Sequence, residues 1–275
     1  MSVNWIKRHD FIVFLVLAFA LSWWVWPLVL ANPEGTPLVP FGPIIAAFIV
    51  LALTRGWAGV RDLLGSLVRW RVGLGWYAVA LLLPVAITLV VLYLNAMLGG
   101  PTPTAADFAD WYTLPLLFLL TTLVAGPLFE EPGWRGFALP RLQSSYTPLI
   151  ASLIVGVIWA SWHLPELISE PTGQRPPLQF IVWVLGQSVV YTWVYNGTRG
   201  SVLLVILMHG SANTIGRFLF PTVLASATYG RIWWLLAALW WVVAIAAIAV
   251  FGMARDRAPS MEAPAAAAAT AARVR

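Results

Sequence analysis

The 275-residue chain contains no cysteine. It therefore has no disulfide framework, no thiol nucleophile and no thiolate metal site, and redox chemistry says nothing about its compartment. Charge is scarce too: 10% of residues are charged against 60% hydrophobic, and the mean hydropathy is +0.83. That composition excludes an ordinary soluble domain and fits an integral membrane protein. Short alternating strands of the kind that build membrane barrels are missing, which leaves an all-α, polytopic transmembrane helical bundle as the expected fold. The net charge of +5 does not point to nucleic acid, because the arginines are scattered among short connectors and form no basic face interleaved with aromatics.

Long apolar runs are what the chain has instead. A bilayer core of about 30 Å needs about 20 apolar residues as helix, and about eight spans can be drawn, at 11–31, 38–54, 74–98, 113–131, 148–165, 178–196, 200–218 and 231–253. The first follows Lys7 and Arg8 like a signal peptide, but it is too long for a signal core and lacks a small-residue cleavage site, so we read it as a retained span. The 17 tryptophans, among them Trp23, Trp24, Trp26, Trp76, Trp233 and Trp234 near span ends, are expected to act first as interfacial anchors. With the N-terminus inside, Lys7, Arg8, Arg55, Arg61, Arg69, Arg71, Arg141, Arg199, Arg255, Arg257, Arg273 and Arg275 are internal, against Arg175, Arg217 and Arg231 outside. Both termini are thus expected in the cytoplasm.

Residues 1–10 read as a cytoplasmic N-terminus and 11–112 as N-terminal spans. Within these, Trp57, Val60, Leu64, Leu67 and Val68 form an amphipathic interfacial helix near 56–71. Residues 113–218 form the core that carries chemistry and 219–253 the last span. The Ala- and Pro-rich tail 254–275 reads as disordered and cytoplasmic.

Ionisable side chains inside apolar runs are expensive and point to function. There are three clusters. In Glu130-Glu131-Pro-Gly-Trp-Arg135, helical spacing lets Arg135 neutralise Glu131 one turn away, while Glu130 projects about 100° aside as a base or ligand. Pro132 is expected to kink or restart the helix there, next to a cavity. In Trp159-Ala-Ser-Trp-His163, one turn places the Trp159 ring beside the imidazole. In His209-Gly-Ser-Ala-Asn213, two polar groups share a face with small residues between them. Singly, the His and Asn also fit interhelical hydrogen bonding.

Glu130 lies 16 residues before Tyr146 and His163 lies 17 after it, so a hairpin turning at Gln143 to Pro148 sets them at nearly the same height. His209 sits about ten residues, about 15 Å, beyond the inner turn at Arg199. In an ideal bundle these depths do not coincide, which calls for a tilted cavity or a cytoplasmic extension of the fourth span. A Glu, two His and an Asn around one cavity make a hydrolytic set: a carboxylate to take a proton from water, imidazole to share it or hold a metal, and amide and imidazole donors for an oxyanion. Gly-x-Ser-x-Gly, His-Glu-x-x-His and a paired-Asp arrangement are all absent.

The three motifs, in this order, resemble the CPBP family of intramembrane proteases, which takes in type II CAAX prenyl endopeptidases and relatives linked to bacteriocin processing or self-immunity. Glu130, Glu131 and Arg135 match its Glu-Glu-x-x-x-Arg, Trp159 and His163 its aromatic and His, and His209 and Asn213 its His-x-x-x-Asn; the match covers about 113–218. The resemblance implies an endopeptidase of the cell membrane, expected in a bacterium, acting on a membrane-associated peptide or protein, with CAAX-type substrates among the options. It implies that Glu130 and His163 activate water and that His209 with Asn213 stabilises the oxyanion, with Glu131, Arg135 and Trp159 in support. The family is often named as metalloproteases, so a divalent metal such as zinc on Glu130, His163 and His209 stands beside a metal-free Glu/His site. Trp159 where Phe is usual, and Pro132-Gly133 where bulkier apolar residues are frequent, imply a cavity of altered shape. The rival readings are a non-catalytic immunity or binding protein that keeps the cavity, and a proton-coupled transporter, against which no inverted repeat is seen.

Overall fold

The computed structural model describes residues 3–31, 38–124, 126–169, 175–223 and 228–252, and among these there are helices and connectors but no strand. The helices that matter here are α1 (Asp10–Trp23), α2 (Gly42–Leu67), α3 (Leu74–Met97), α4 (Leu114–Val124), α5 (Pro127–Gly133), α6 (Leu139–Gln143), α7 (Pro148–Trp162), α8 (Pro177–Gly197), α9 (Val202–Val223) and α10 (Tyr229–Phe251). Every expected span contains helix. Six segments are long and apolar enough to cross a bilayer alone: Asp10–Leu28, Gly42–Leu67, Leu74–Met97, Pro177–Gly197, Val202–Leu219 and Tyr229–Phe251. The expected tail and the loop 170–174 lie outside the described residues.

The two remaining expected spans are the irregular ones, and they hold the site. α7 has 15 residues, about 22 Å at the helical rise, too short for a core of about 30 Å. It starts at a Thr147 cap with Pro148 at the first position and stops at His163, whose backbone leaves the helix. His163 therefore lies where a helix ends within the depth of the bundle. The fourth span is broken, but not at Pro132 as expected. The break falls at Gly126, whose φ of 126° is open only to glycine. From Pro127 the chain stays helical through Gln143, widening to a π turn over Trp134–Ala138. Such widening re-registers the backbone bonds around the donor that Pro132 lacks.

α2 is likewise divided, at Gly56 (φ 63°). Beyond it the chain remains helical to Leu67, with Trp57, Leu64 and Val68 exposed and Leu63 buried. Leu63 packs so close to Gly136 that a Cβ there would fall 2.5 Å from its methyl carbon, and Gly133 admits Pro43 at the same distance. The glycine after Pro132 thus serves the packing of α2 against α5. Phe14 stacks on Phe137 and meets Trp134 edge-on, and Trp134 in turn meets Trp162, so α1 and α7 clamp the broken span from either side.

The bundle has two chemically distinct ends. At one, Arg69 donates to the Arg199 carbonyl, Ser201 to the Arg69 carbonyl, and Arg141 pairs with Asp10 at 2.7 Å. At the other, Arg231 caps α3 by donating to Asn95 Oδ1 and the Leu98 carbonyl, both at 2.9 Å.

Candidate active site

The two adjacent glutamates have separate environments. Glu131 is wholly buried and takes both oxygens to Arg135 Nη1, at 3.1 and 2.9 Å. Arg135, also 0% exposed, donates from Nη2 to Ser188 Oγ at 3.2 Å, and its guanidinium lies 4.7 Å from the Trp159 ring centre and 5.0 Å from that of Tyr191. Ser188 passes the chain on to the Ser152 carbonyl at 2.7 Å. An ion pair taken this far from water persists only with such added hydrogen bonds and ring contacts.

Glu130 faces the other way, into a cavity of about 980 Å³. Its Oε2 accepts from Trp159 Nε1 at 2.7 Å. Its Oε1 folds back over the start of α5, so close to Gly126 that a Cβ on that residue would sit 2.3 Å away. Glycine is thus required at 126 twice over, by φ and by contact, and sequence reasoning passed it by. The signal was present: an Ala-Gly-Pro step inside an apolar run, four residues before the carboxylate.

Trp159 joins the first two motifs. Its indole holds Glu130, and its backbone carbonyl accepts from His163 Nδ1 at 2.8 Å. The sequence expectation was that the ring would orient His163. The ring does lie edge-on at 5.9 Å, but the hydrogen bond comes from the main chain and leaves Nε2 as the ring's other polar atom. Phe at 159 would keep the carbonyl and lose the indole donor.

The third motif enters from α9. His209 Nδ1 donates to Glu131 Oε1 at 2.8 Å, and its ring sits 5.2 Å from that of Trp159. This direct contact shows that the mismatch in depth belongs to an ideal bundle and not to this one. Straight-helix arithmetic failed because the break at Gly126 re-aims the chain ahead of the glutamates. Gly210 allows the approach of α4: a Cβ there would meet Thr122 Oγ1 at 2.2 Å. Asn213, one turn beyond His209, lines the same cavity as Glu130, His163 and His209. The mouth carries Glu166 paired with Arg175 at 2.5 Å, and Arg217, a further turn along α9, with no acidic partner among the described residues. Sequence reasoning treated Arg175 and Arg217 as loop charges only.

Glu130, His163 and His209 were also the candidate metal ligands. Among the described residues no three His, Cys, Asp or Glu side chains are gathered closely enough to hold a metal ion. The Nδ1 bonds of the two histidines would not themselves prevent ligation, since a metal-bound imidazole ordinarily donates its other nitrogen; it is the spacing of the three groups that fails. The set does not fit a metal in this arrangement.

A polytopic bundle of apolar helices around a buried Glu/His cavity defines an integral membrane protein with the groups of a hydrolytic site. Residues 112–215, which include every residue of the three motifs, match the model of the family described as "Type II CAAX prenyl endopeptidase Rce1-like". That match falls on the same stretch as the three motifs and agrees with their resemblance to the CPBP family. It is 28% identical over 181 residues to CAAX prenyl protease 2 of Methanococcus maripaludis, covering 61% of this chain and 65% of that protein, slightly less than two thirds of its length. It is 24% identical over 239 residues to the UPF0177 protein in abiGi 5'region of Lactococcus lactis subsp. cremoris, covering 79% of this chain and 94% of that protein.

Proposed function

We propose that this chain is an intramembrane endopeptidase that hydrolyses a peptide bond in a membrane-associated peptide or protein, CAAX-type substrates included. The observation that carries the reading is Trp159, which holds Glu130 through its indole and His163 through its carbonyl at the wall of one cavity. In this reading Glu130 takes a proton from a water aligned by His163 Nε2. The water oxygen attacks the carbonyl carbon, and the electron pair moves to the carbonyl oxygen beside His209 and Asn213. Collapse breaks the C–N bond while the proton on Glu130 passes to the leaving nitrogen, giving a carboxylic acid and an amine, and the acid then ionises to water. Glu131 and Arg135 touch no substrate; they fix the His209 ring through its Nδ1.

Orientation is part of the proposal. Arg175, Arg217 and Tyr229 lie at the cavity mouth, at the bundle end away from Arg69, Arg71 and Arg199. With the arginine-rich end and both termini in the cytoplasm, the mouth opens toward the outer face.

The test is cleavage of a peptide library by purified protein. Glu130→Gln should lower turnover by at least ~10²-fold, the low end for removing a general base, with an unchanged melting temperature. Full cleavage by well-folded Glu130→Gln would remove Glu130 from the reaction. Peptide binding without cleavage by the unaltered chain would mark a binding protein, and proton flux in proteoliposomes a transporter.

A further inference from the structure

One wall of the cavity carries a polar group to which the reaction above assigns no task. α8 presents Phe180, Val184 and Gln187 to the cavity in successive turns, from the mouth inward. One turn deeper, the buried Tyr191 ring packs 5.8 Å from His209 and 5.9 Å from Trp159. Gln187 therefore stands about 6 Å along the helix from the residue that packs on the site. It is 1% exposed, yet it lines the cavity.

Its amide is unemployed. Nε2 is sealed from solvent without a hydrogen-bond partner, and no hydrogen bond joins Oε1 to any described residue. On the same helix Ser188 bridges Arg135 and the Ser152 carbonyl and Thr192 donates to the Ser188 carbonyl at 2.8 Å, while Trp183 Nε1 and the Tyr191 hydroxyl share with Gln187 Nε2 the lack of a partner among the described residues; of these three residues Gln187 carries both a donor and an acceptor and lines the cavity. Buried amides are almost always paired, because desolvating both ends for nothing destabilises the fold. A glutamine left so beside a reactive site implies a partner outside the chain.

A side-chain amide offers one acceptor and two donors, which complement the N–H and C=O of a peptide main chain and ignore its side chains. We propose that Gln187 is a substrate-binding residue that hydrogen-bonds the main chain of the bound peptide beside the scissile bond. This rests on the peptidase reading, and it adds a group that holds the backbone without selecting sequence.

The experiment pairs Gln187→Met, similar in length but without hydrogen-bonding atoms, with a set of substrate analogues. The probe is a labelled decapeptide drawn from a random library, remade with each main-chain N–H near the cleaved bond replaced in turn by an ester oxygen. Cleavage is read as kcat and KM; binding is read by anisotropy on the Glu130→Gln protein with and without Gln187→Met. Gln187→Met should leave the melting temperature unchanged or raised, since it deletes an unpaired amide. It should lower kcat/KM about tenfold, the scale of one neutral hydrogen bond. One ester position should cost the unaltered chain about tenfold and the Gln187→Met protein nothing.

The ester scan decides. Equal ester effects in both proteins at every position would overturn the assignment, and a lowered melting temperature with unaltered kcat/KM would make Gln187 structural. If the unaltered chain cleaves nothing but the Glu130→Gln protein shows Gln187-dependent ester effects on binding, the peptidase reading fails and Gln187 keeps its role. Absence of both cleavage and binding ends both.

Discussion

Trp159 donates its indole N–H to Glu130 at 2.7 Å. The carboxylate thereby gains a fixed donor, and the same residue's carbonyl sets His163. Trp159→Phe should remove the first bond and spare the second. A hydrogen bond to a charged group is worth about 1.5–3 kcal/mol, so kcat should fall about tenfold or more, with KM nearly constant. Kinetics that fall only in proportion to lost folded protein, followed by the melting temperature, would mean that the bond does not position Glu130.

Gly126 supports the other carboxylate oxygen by leaving room for it. Gly126→Ala imposes a φ that L-residues disfavour, at about 1–3 kcal/mol, and drives a Cβ to 2.3 Å from Glu130 Oε1. Turnover should drop at least tenfold while Gly75→Ala, whose added Cβ meets nothing within 4 Å, should match the unaltered chain. Wild-type kcat in a folded Gly126→Ala protein would show that Glu130 does not depend on this backbone.

The helical bundle was legible because period and composition read directly as apolar spans, and the Glu131 to Arg135 pairing because one helical turn fixes which side chains share a face. What escaped came from places where the chain departs from ideal helix. Gly126 was read as part of a run, and Pro132, a breaker by rule, was absorbed by the π turn that follows it. How His209 reaches the glutamates stayed open for the same reason, since counting residues assumes that helices run straight. The amide of Gln187 was invisible because its meaning lies in the partners it lacks, which only packing reveals.

The lack of native cysteine makes the orientation easy to test. Single cysteines at Thr102, exposed beyond the end of α3, and at Gly73, exposed before its start, will be the only thiols. The arginine asymmetry predicts that a membrane-impermeant maleimide labels Thr102→Cys in intact cells and Gly73→Cys only after permeabilisation. The reverse pattern would turn the cavity mouth toward the cytoplasm.

The charge pair behind the site makes the sharpest stability prediction. Arg135 pairs with Glu131 at full burial, with Ser188, Trp159 and Tyr191 completing its surroundings. Arg135→Ala leaves Glu131 with the His209 hydrogen bond alone, and an uncompensated buried charge costs about 3–5 kcal/mol. Expression and melting temperature should fall together. Glu131→Gln with Arg135→Met removes both charges at once and should recover part of that stability, yet not activity, because His209 then loses the carboxylate that orients its ring. A double-mutant cycle on melting in detergent measures the coupling, expected well above 0.5 kcal/mol for groups in one network. Coupling near zero would dissolve the pair and make Glu131 a second free carboxylate in the site.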